Sequence, residues 1–553
     1  MAASCRTASG FLYQAEIRTG YFNSEKGEFP NERRKCISAC KAGTQRNLAS
    51  GVQPLSVFFL LIALQVFLLV AVYLWVNAKL AAVFAVIQGA FMLCMIVYLF
   101  NIPMDSSAKL TWMLLISFAA LPVTVLFFFT QSNLGHRKMK KAIEKSIEET
   151  KHLLSQPEGV LESLREDRDG TEDLVTYLNR TGCFPAYQDS EVTYYPSGEA
   201  KFEALLEDLK HAEKYIFLEY FIIEEGYMWG QILEILIAKA AEGVDVRVLY
   251  DGLGEMFQLP ADYWKLLETK CIHSRAFGAI RPFVSSHYNY RDHRKILVID
   301  GKTAYTGGVN LADEYINHIE RFGHWKDTAI RIRGAAAKSF MLMFLQNWNV
   351  VTKGADWMPD LSGDTPKPDH PSGTVIPYCD SPLDADKTGE SVYMDILYRA
   401  TSYVHIMTPY LILDGELATA LKYAGERGVD VKIILPGIPD KKLAYALAKS
   451  HYRELLKAGV KIYEYTPGFV HAKVFVSDDE KAVVGTINLD YRSLYHHFEC
   501  AAYLYRTDCI PDIEQDFQQT LARCRQVTPE SVKNEVLFYR FMGSILKFIA
   551  PLM

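Results

Sequence analysis

His293-Arg-Lys295, four apolar residues, Asp300, six residues and Gly307-Gly-Val-Asn310 form a spaced pattern. It returns as His471-Ala-Lys473, four residues, Asp478, six residues and Gly485-Thr-Ile-Asn488. Five fixed residue types at roughly one in twenty each make one chance match in a chain this long an event on the order of 10⁻⁴. Two matches in one register exclude coincidence. The runs 295–299 and 473–476 read as strands, where residues two apart face the same side, so each His projects with its Lys. Residues 302–307 and 481–485 then return as a second strand. The glycines let the backbone turn tightly enough to bring Asn310 or Asn488 to the same spot. Each copy offers an imidazole, an ammonium and an amide, and two copies around one cavity suit a tetrahedral phosphoryl group with negative oxygens.

The flanking text is duplicated as well. A β-type run holding Glu219-Tyr220 precedes a helix and then 242–252, which begins Glu-Gly-Val-Asp-Val. Thr408-Pro-Tyr410 precedes a helix and then 427–437, which begins Arg-Gly-Val-Asp-Val. From about residue 170 short strand-like runs alternate with helical ones, the pattern of an α/β fold. A Pro-, Gly- and Asp-rich stretch at 354–373 interrupts the alternation and reads as a linker. The expected organisation is two tandem α/β domains, 170–353 and 374–553, related by a pseudo-two-fold axis.

Ahead of them the chain is different in kind. Three stretches, 54–76, 80–100 and 110–130, hold no charged residue, and each is long enough to cross about 30 Å of hydrocarbon as a helix. We therefore expect a membrane region at 51–135, preceded by a mobile tail at 1–50 and followed by a solvated helical connector at 136–169 rich in interspersed Lys and Glu. Basic residues precede the first stretch (Arg33, Arg34, Lys35) and follow the third (Arg137, Lys138, Lys140, Lys141, Lys145). The positive-inside rule places both flanks in the cytoplasm, whereas three crossings would separate them, so the sequence leaves the number of crossings open. With 59 Lys+Arg against 65 Asp+Glu the net charge is −6, which disfavours nucleic acid as a partner. The ten cysteines are scattered and read as reduced thiols. Cys36 and Cys40 have no second pair or nearby His to make a metal site.

Away from the motifs, His318, His324, His451, His496 and His497 read as structural histidines. A metal at the duplicated His pair is disfavoured because an ammonium two residues from each imidazole opposes a cation.

The duplicated H-x-K-x4-D-x6-G-x2-N resembles the motif of the phospholipase D superfamily. The words around it (Asn289-Tyr-Arg-Asp-His-Arg-Lys-Ile296, Thr306-Gly-Gly-Val-Asn-Leu-Ala-Asp-Glu-Tyr315, Trp325-Lys-Asp327, Thr408-Pro-Tyr410 and Gly485-Thr-Ile-Asn-Leu-Asp-Tyr-Arg-Ser493) are similar to those of the bacterial cardiolipin synthase family. The resemblance implies phospholipase D-like α/β domains, and the apolar stretches with the basic run 137–145 that leads into those domains add the expectation of a multi-pass protein of the cell membrane with its catalytic part in the cytoplasm. It implies transfer of a phosphatidyl group between two phosphatidylglycerol molecules, giving cardiolipin and glycerol with no metal and no nucleotide.

The catalytic set is then His293, Lys295, Asp300, His471, Lys473 and Asp478. His293 is the nucleophile that forms a phosphohistidine and His471 the acid, so the two start in opposite protonation states. The lysines hold phosphoryl oxygens, and Asp300 and Asp478 support the motif. Asn310, Asn488, Glu499 and Asp327 are the substrate-binding candidates, the last two by orienting a His through its second nitrogen. A hydrolase, or a transferase with another alcohol acceptor, would keep every one of these residues.

Overall fold

The computed structural model describes residue 67 and residues 78–552 apart from 132–136, 183, 254–257, 261, 279–289, 353–360, 362–364 and 385. The tail 1–50, all but one residue of the apolar stretch 54–76, and half of 354–373 lie outside the described residues.

The first half contributes β1 (Ser190–Tyr195), β2 (Tyr215–Tyr220), β3 (Asp245–Asp251), β4 (His273–Phe277), β5 (Arg291–Asp292), β6 (Lys295–Ile299), β7 (Thr303–Gly307), β8 (His324–Lys326) and β9 (Ala329–Gly334). The second contributes β10 (Thr374–Asp380), β11 (Tyr403–Met407), β12 (Asp430–Pro436), β13 (Lys461–Tyr465), β14 (Gly468–Val470), β15 (Val474–Ser477), β16 (Lys481–Gly485), β17 (His497–Tyr505) and β18 (Cys524–Gln526). One sheet runs β1-β9-β7-β6-β2-β3-β4 and the other β10-β17-β16-β15-β11-β12-β13-β18. Up to β18 the two orders correspond strand for strand.

Three strands in each sheet are parallel, which requires crossover connections. Helices Tyr227–Glu242 and Gly415–Glu426 supply two of them. The first ends where Gly243 takes a left-handed conformation with φ 96°, the usual helix stop, and so explains the Glu-Gly-Val-Asp-Val signal in the sequence. β6, β15, β16 and β17 are buried along their whole length. That is why they read as apolar runs rather than as alternating strands.

Two short pairings cross between the halves. β5 lies parallel to the start of β17, with Arg291 opposite His497 and Asp292 opposite Phe498, and β14 lies parallel to β8, with Val470 opposite Lys326. One buried cluster runs through both halves, from Val192 and Ile330 to Val484 and Ala502.

The connector departs from its expected solvated state. Helix Arg137–Thr150 buries Ile143, Ser146 and Thr150, positions three and four residues apart that form one face. That face docks on helix Ala337–Thr352, where Gln346 Nε2 donates to Thr150 Oγ1 at 2.9 Å.

The apolar region also differs from expectation. Helix Ala78–Asn101, of 24 residues, is about 36 Å long at 1.5 Å per residue and can span a bilayer. Among the described residues it is the one helix long and apolar enough to do so. The stretch 110–130 is not a single helix. It breaks at Ala119 (φ −143°, ψ 74°) into Ser106–Phe118 and Ala120–Gln131, of 13 and 12 residues, each only about 20 Å long. Pro122 explains the break, because in an unbroken helix its ring would clash with the carbonyl of Phe118.

Candidate active site

Each motif histidine follows a strand that is paired with the opposite half. The backbone N–H of His293 donates to Phe498 O at 2.9 Å, and that of His471 to Lys326 O at 2.7 Å. A carboxylate stands one residue beyond each acceptor. His293 Nδ1 lies 2.9 Å from both oxygens of Glu499, and His471 Nδ1 lies 2.8 Å from Asp327 Oδ2. The partner of each imidazole therefore comes from the other half. Both carboxylates are fully buried at 0% exposure, so they hold the histidines and do not face substrate. Although grouped with the substrate-binding residues, each stands where it can orient a His through its second nitrogen. With Nδ1–H donated to a carboxylate, the lone pair of each ring is on Nε2, the nitrogen able to attack or accept a proton.

The lysines are anchored by their own motifs. Lys295 Nζ donates to His293 O at 2.7 Å, and Lys473 Nζ donates to His471 O. Burial pushes Lys295 down to about 8 and Lys473 down to about 7, each partly offset by carboxylates of the site. Burial also pushes His293 well below the ordinary imidazole value, against the pull of Glu499. His471 is pushed down to about 4 by burial and by Lys473. Glu499 and Asp327 stay below the usual carboxylate range because each faces its histidine, which outweighs their burial. Burial thus favours the neutral form of both imidazoles.

Asp300 and Asp478 do not join this constellation. Asp300 accepts from the backbone N–H of Glu213, Lys214 and Tyr215 at 2.7–2.9 Å. Asp478 does the same for Thr401, Ser402 and Tyr403 at 2.7–2.9 Å. Both sit at the far end of the motif strand with φ 53° and 54°, where each fastens the hairpin to the start of β2 or β11. Although counted with the catalytic set, both make the contacts of residues that support the motif, because a carboxylate spent on three backbone donors has little left for chemistry.

The asparagines differ. Asn310 Oδ1 accepts from Ile222 N at 3.1 Å and its Nδ2 donates to Tyr315 Oη at 2.8 Å, whereas Asn488 Oδ1 is buried without a hydrogen-bond partner. Gly308 permits the close approach of the halves, since a Cβ there would fall 1.9 Å from Asp327 Oδ1 and 2.9 Å from His471 O.

Two site residues escaped the sequence reading. His497, expected to be structural, has its ring centroid 5.4 Å from that of His293, with Nδ1 3.7 Å from Glu499 Oε1. The available signal was its position two residues before Glu499 on one strand, which gives both the same face. Ligand atoms of His293, His497 and Glu499 fall within 4.8 Å of one another, yet Glu499 is already engaged by His293 and by Thr486 Oγ1. The other residue is Lys201, fully buried, bonded to Tyr220 Oη at 3.2 Å and pushed by burial down to about 7. It belongs to no motif and no spacing announces it.

The comparisons with known proteins agree with this geometry. The family described as cardiolipin synthase, PLD-like domain, matches residues 205–324 and 393–521. A cardiolipin synthase of Alkalihalophilus pseudofirmus is 34% identical over 80% of this chain and 88% of its own length. An uncharacterized protein of Streptococcus mutans is 54% identical over 83% of this chain and 99% of its own. In fold, the crystal structure of a phosphatidylserine synthase from Haemophilus influenzae superposes with a TM-score of 0.53 at 17% identity, covering 69% of this chain and 97% of that one. Matches of this length and identity, falling on the two halves that carry the paired motifs, establish that the chain belongs to the cardiolipin synthase family of phospholipase D-like phosphatidyltransferases.

Proposed function

We propose that this protein is a membrane-bound cardiolipin synthase that works through a phosphohistidine. The reading is carried by the crossed pairs His293–Glu499 and His471–Asp327, set among buried lysines in two sheets of matching order. His293 Nε2 attacks the phosphorus of one phosphatidylglycerol. The bond from phosphorus to the glycerol oxygen breaks, and His471, protonated as the anionic phosphodiester enters, gives its proton to that oxygen. The free hydroxyl of a second phosphatidylglycerol then attacks the phosphohistidine, returns its proton to His471 and leaves as cardiolipin. Glu499 and Asp327 stabilise the imidazolium forms, and Lys295, Lys473 and the Nδ2 amide of Asn488 donate to the phosphoryl oxygens. No metal or cofactor enters either step.

Water at about 55 M competes for the intermediate, so the lipid alcohol must be supplied in place and water kept out. Anchoring through helix Ala78–Asn101 holds the site at a surface where phosphatidylglycerol is concentrated. The basic run from Arg137 to Lys145 supports a cytoplasmic position for the catalytic halves. The test is lipid analysis of the full-length protein in bilayers containing phosphatidylglycerol. Cardiolipin and glycerol in equal amounts are expected, and phosphatidic acid as the main product would make the protein a hydrolase instead.

A further inference from the structure

A groove of about 740 Å³ lies between helix Lys442–Lys457 and the C-terminal helices Pro529–Lys533 and Leu537–Ile549. None of the motif residues lines it. Six cationic side chains do, and only two of them are matched by carboxylates: Lys449 pairs with Glu535 at 2.5 Å and Lys547 with Glu454 at 2.9 Å. Among the described residues no carboxylate pairs with Arg453, Lys457, Lys533 or Arg540. Beneath them the lining is apolar, with Leu456, Val532 and Phe548 half-buried. Unmatched cations over an apolar floor fit a ligand that is anionic at one end and hydrocarbon at the other. A free anion has no use for the floor.

The location narrows the source. Thr111 Oγ1, on the apolar helix Ser106–Phe118, donates to Phe548 O at 2.7 Å, so the groove adjoins the apolar N-terminal helices. On the same C-terminal segment Val536, Phe541 and Ile545 are exposed at 60%, 63% and 42%, an outward apolar surface of the kind that an interfacial helix turns to a bilayer.

We propose that this groove docks an anionic phospholipid from the bilayer, with its phosphate on Arg453, Lys457, Lys533 and Arg540 and an acyl chain along the floor. This rests on the membrane anchoring proposed above. It adds a second lipid site, outside the catalytic cavity, through which the anionic lipid content of the membrane reaches the enzyme.

The test uses full-length protein carrying His293→Ala, which halts turnover. In neutral detergent it is titrated with cardiolipin or with phosphatidylcholine, and bound lipid is read by native mass spectrometry. Cardiolipin is expected to bind with clear preference. Replacing Arg453, Lys457, Lys533 and Arg540 together by Gln should weaken cardiolipin about a hundredfold and leave phosphatidylcholine unchanged, while the pair Lys457→Arg and Lys533→Arg should keep the parent's affinity. Unchanged cardiolipin binding in the Gln variant overturns the proposal, as does equal competition by soluble glycerol phosphate. Alkaline extraction of the same protein separates the two readings. Retention in the membrane with unchanged cardiolipin binding overturns the groove alone, and release overturns the anchoring and with it the bilayer as source of the lipid.

Discussion

The two copies of the motif share a backbone plan but not the same surroundings. In each, a short strand crosses to the other half, a histidine follows it, and a carboxylate from that half takes its Nδ1. Around His293 the carboxylate is a glutamate with His497 beside it. Around His471 it is an aspartate, and Lys473 presses on the ring. Asn310 is spent on Tyr315 and Ile222, whereas Asn488 keeps its Oδ1 unpaired. Duplication thus supplies a symmetric scaffold, and the divergence of a few neighbours gives the two histidines different surroundings, as the proposed division into nucleophile and acid requires. Crossing the carboxylates between halves also makes each imidazole depend on the interface, so neither half is complete alone.

The largest effect expected is loss of either histidine. His293→Ala and His471→Ala should each reduce turnover by roughly 10⁴-fold or more, and the double variant should be little worse, because both act in one sequence of steps. Peptide mapping after a denaturant quench held at neutral or alkaline pH, where the phosphorus–nitrogen bond survives, should find the phosphatidyl adduct on the His293 peptide only, and an adduct at His471 would reverse the assignment. Next come the carboxylates. Glu499→Gln and Asp327→Asn keep the shape and remove the charge that supports the imidazolium, so kcat should fall roughly 10²-fold with KM nearly unchanged. A drop confined to KM in either variant would return that residue to substrate binding.

Much of this architecture was readable beforehand because it is local. The strand read at 295–299 is β6, and the return at 481–485 is β16, since a buried strand and a glycine turn write themselves into a few consecutive residues. Which carboxylate serves which histidine was not readable. Glu499 lies 206 residues from His293 and Asp327 lies 144 from His471, and no periodicity links positions that only the interface brings together. Asp300 and Asp478 were legible as supports of the motif, but not what they fasten. Their role in fastening the hairpin depends on backbone donors at 213–215 and 401–403 that no side-chain pattern reveals. Hydropathy summed over 110–130 likewise passes over the break at Ala119, where a single ring at Pro122 outweighs the apolar content.

The asparagine difference is tested by matched substitutions. Asn488→Ala should lower kcat about 10- to 100-fold, as for loss of one donor to a developing phosphoryl charge, with the thermal midpoint little changed. Asn310→Ala breaks two hydrogen bonds and leaves the Ile222 N–H without its acceptor, so it should cost about 1–3 kcal/mol of stability. Equal effects of both variants on kcat would mean that the asparagines act symmetrically.

The smallest effect separates the histidines by proton count. His471 has a pKa of about 4 in the folded protein against about 6.5 unfolded, so between these values the unfolded chain binds a proton that the folded chain refuses. Stability therefore rises with pH across this window and falls as pH drops from 6.5 toward 4, by on the order of 1 kcal/mol per unit for each such group. His293 is depressed too, so the empty enzyme should lose stability with a slope of about two protons over this range. Below it the depressed carboxylates Glu499 and Asp327 add their own loss as they are forced to take up protons. Thermal midpoints measured from pH 6.5 to 4.5 should show this slope, and His471→Asn should reduce it by about one proton. A bound phosphodiester should reduce it further, because its negative charge favours a protonated His471 and turns the refused proton into one the complex takes up. If His471→Asn leaves the slope unchanged, His471 is already protonated in the empty site and the two histidines start in opposite states without substrate.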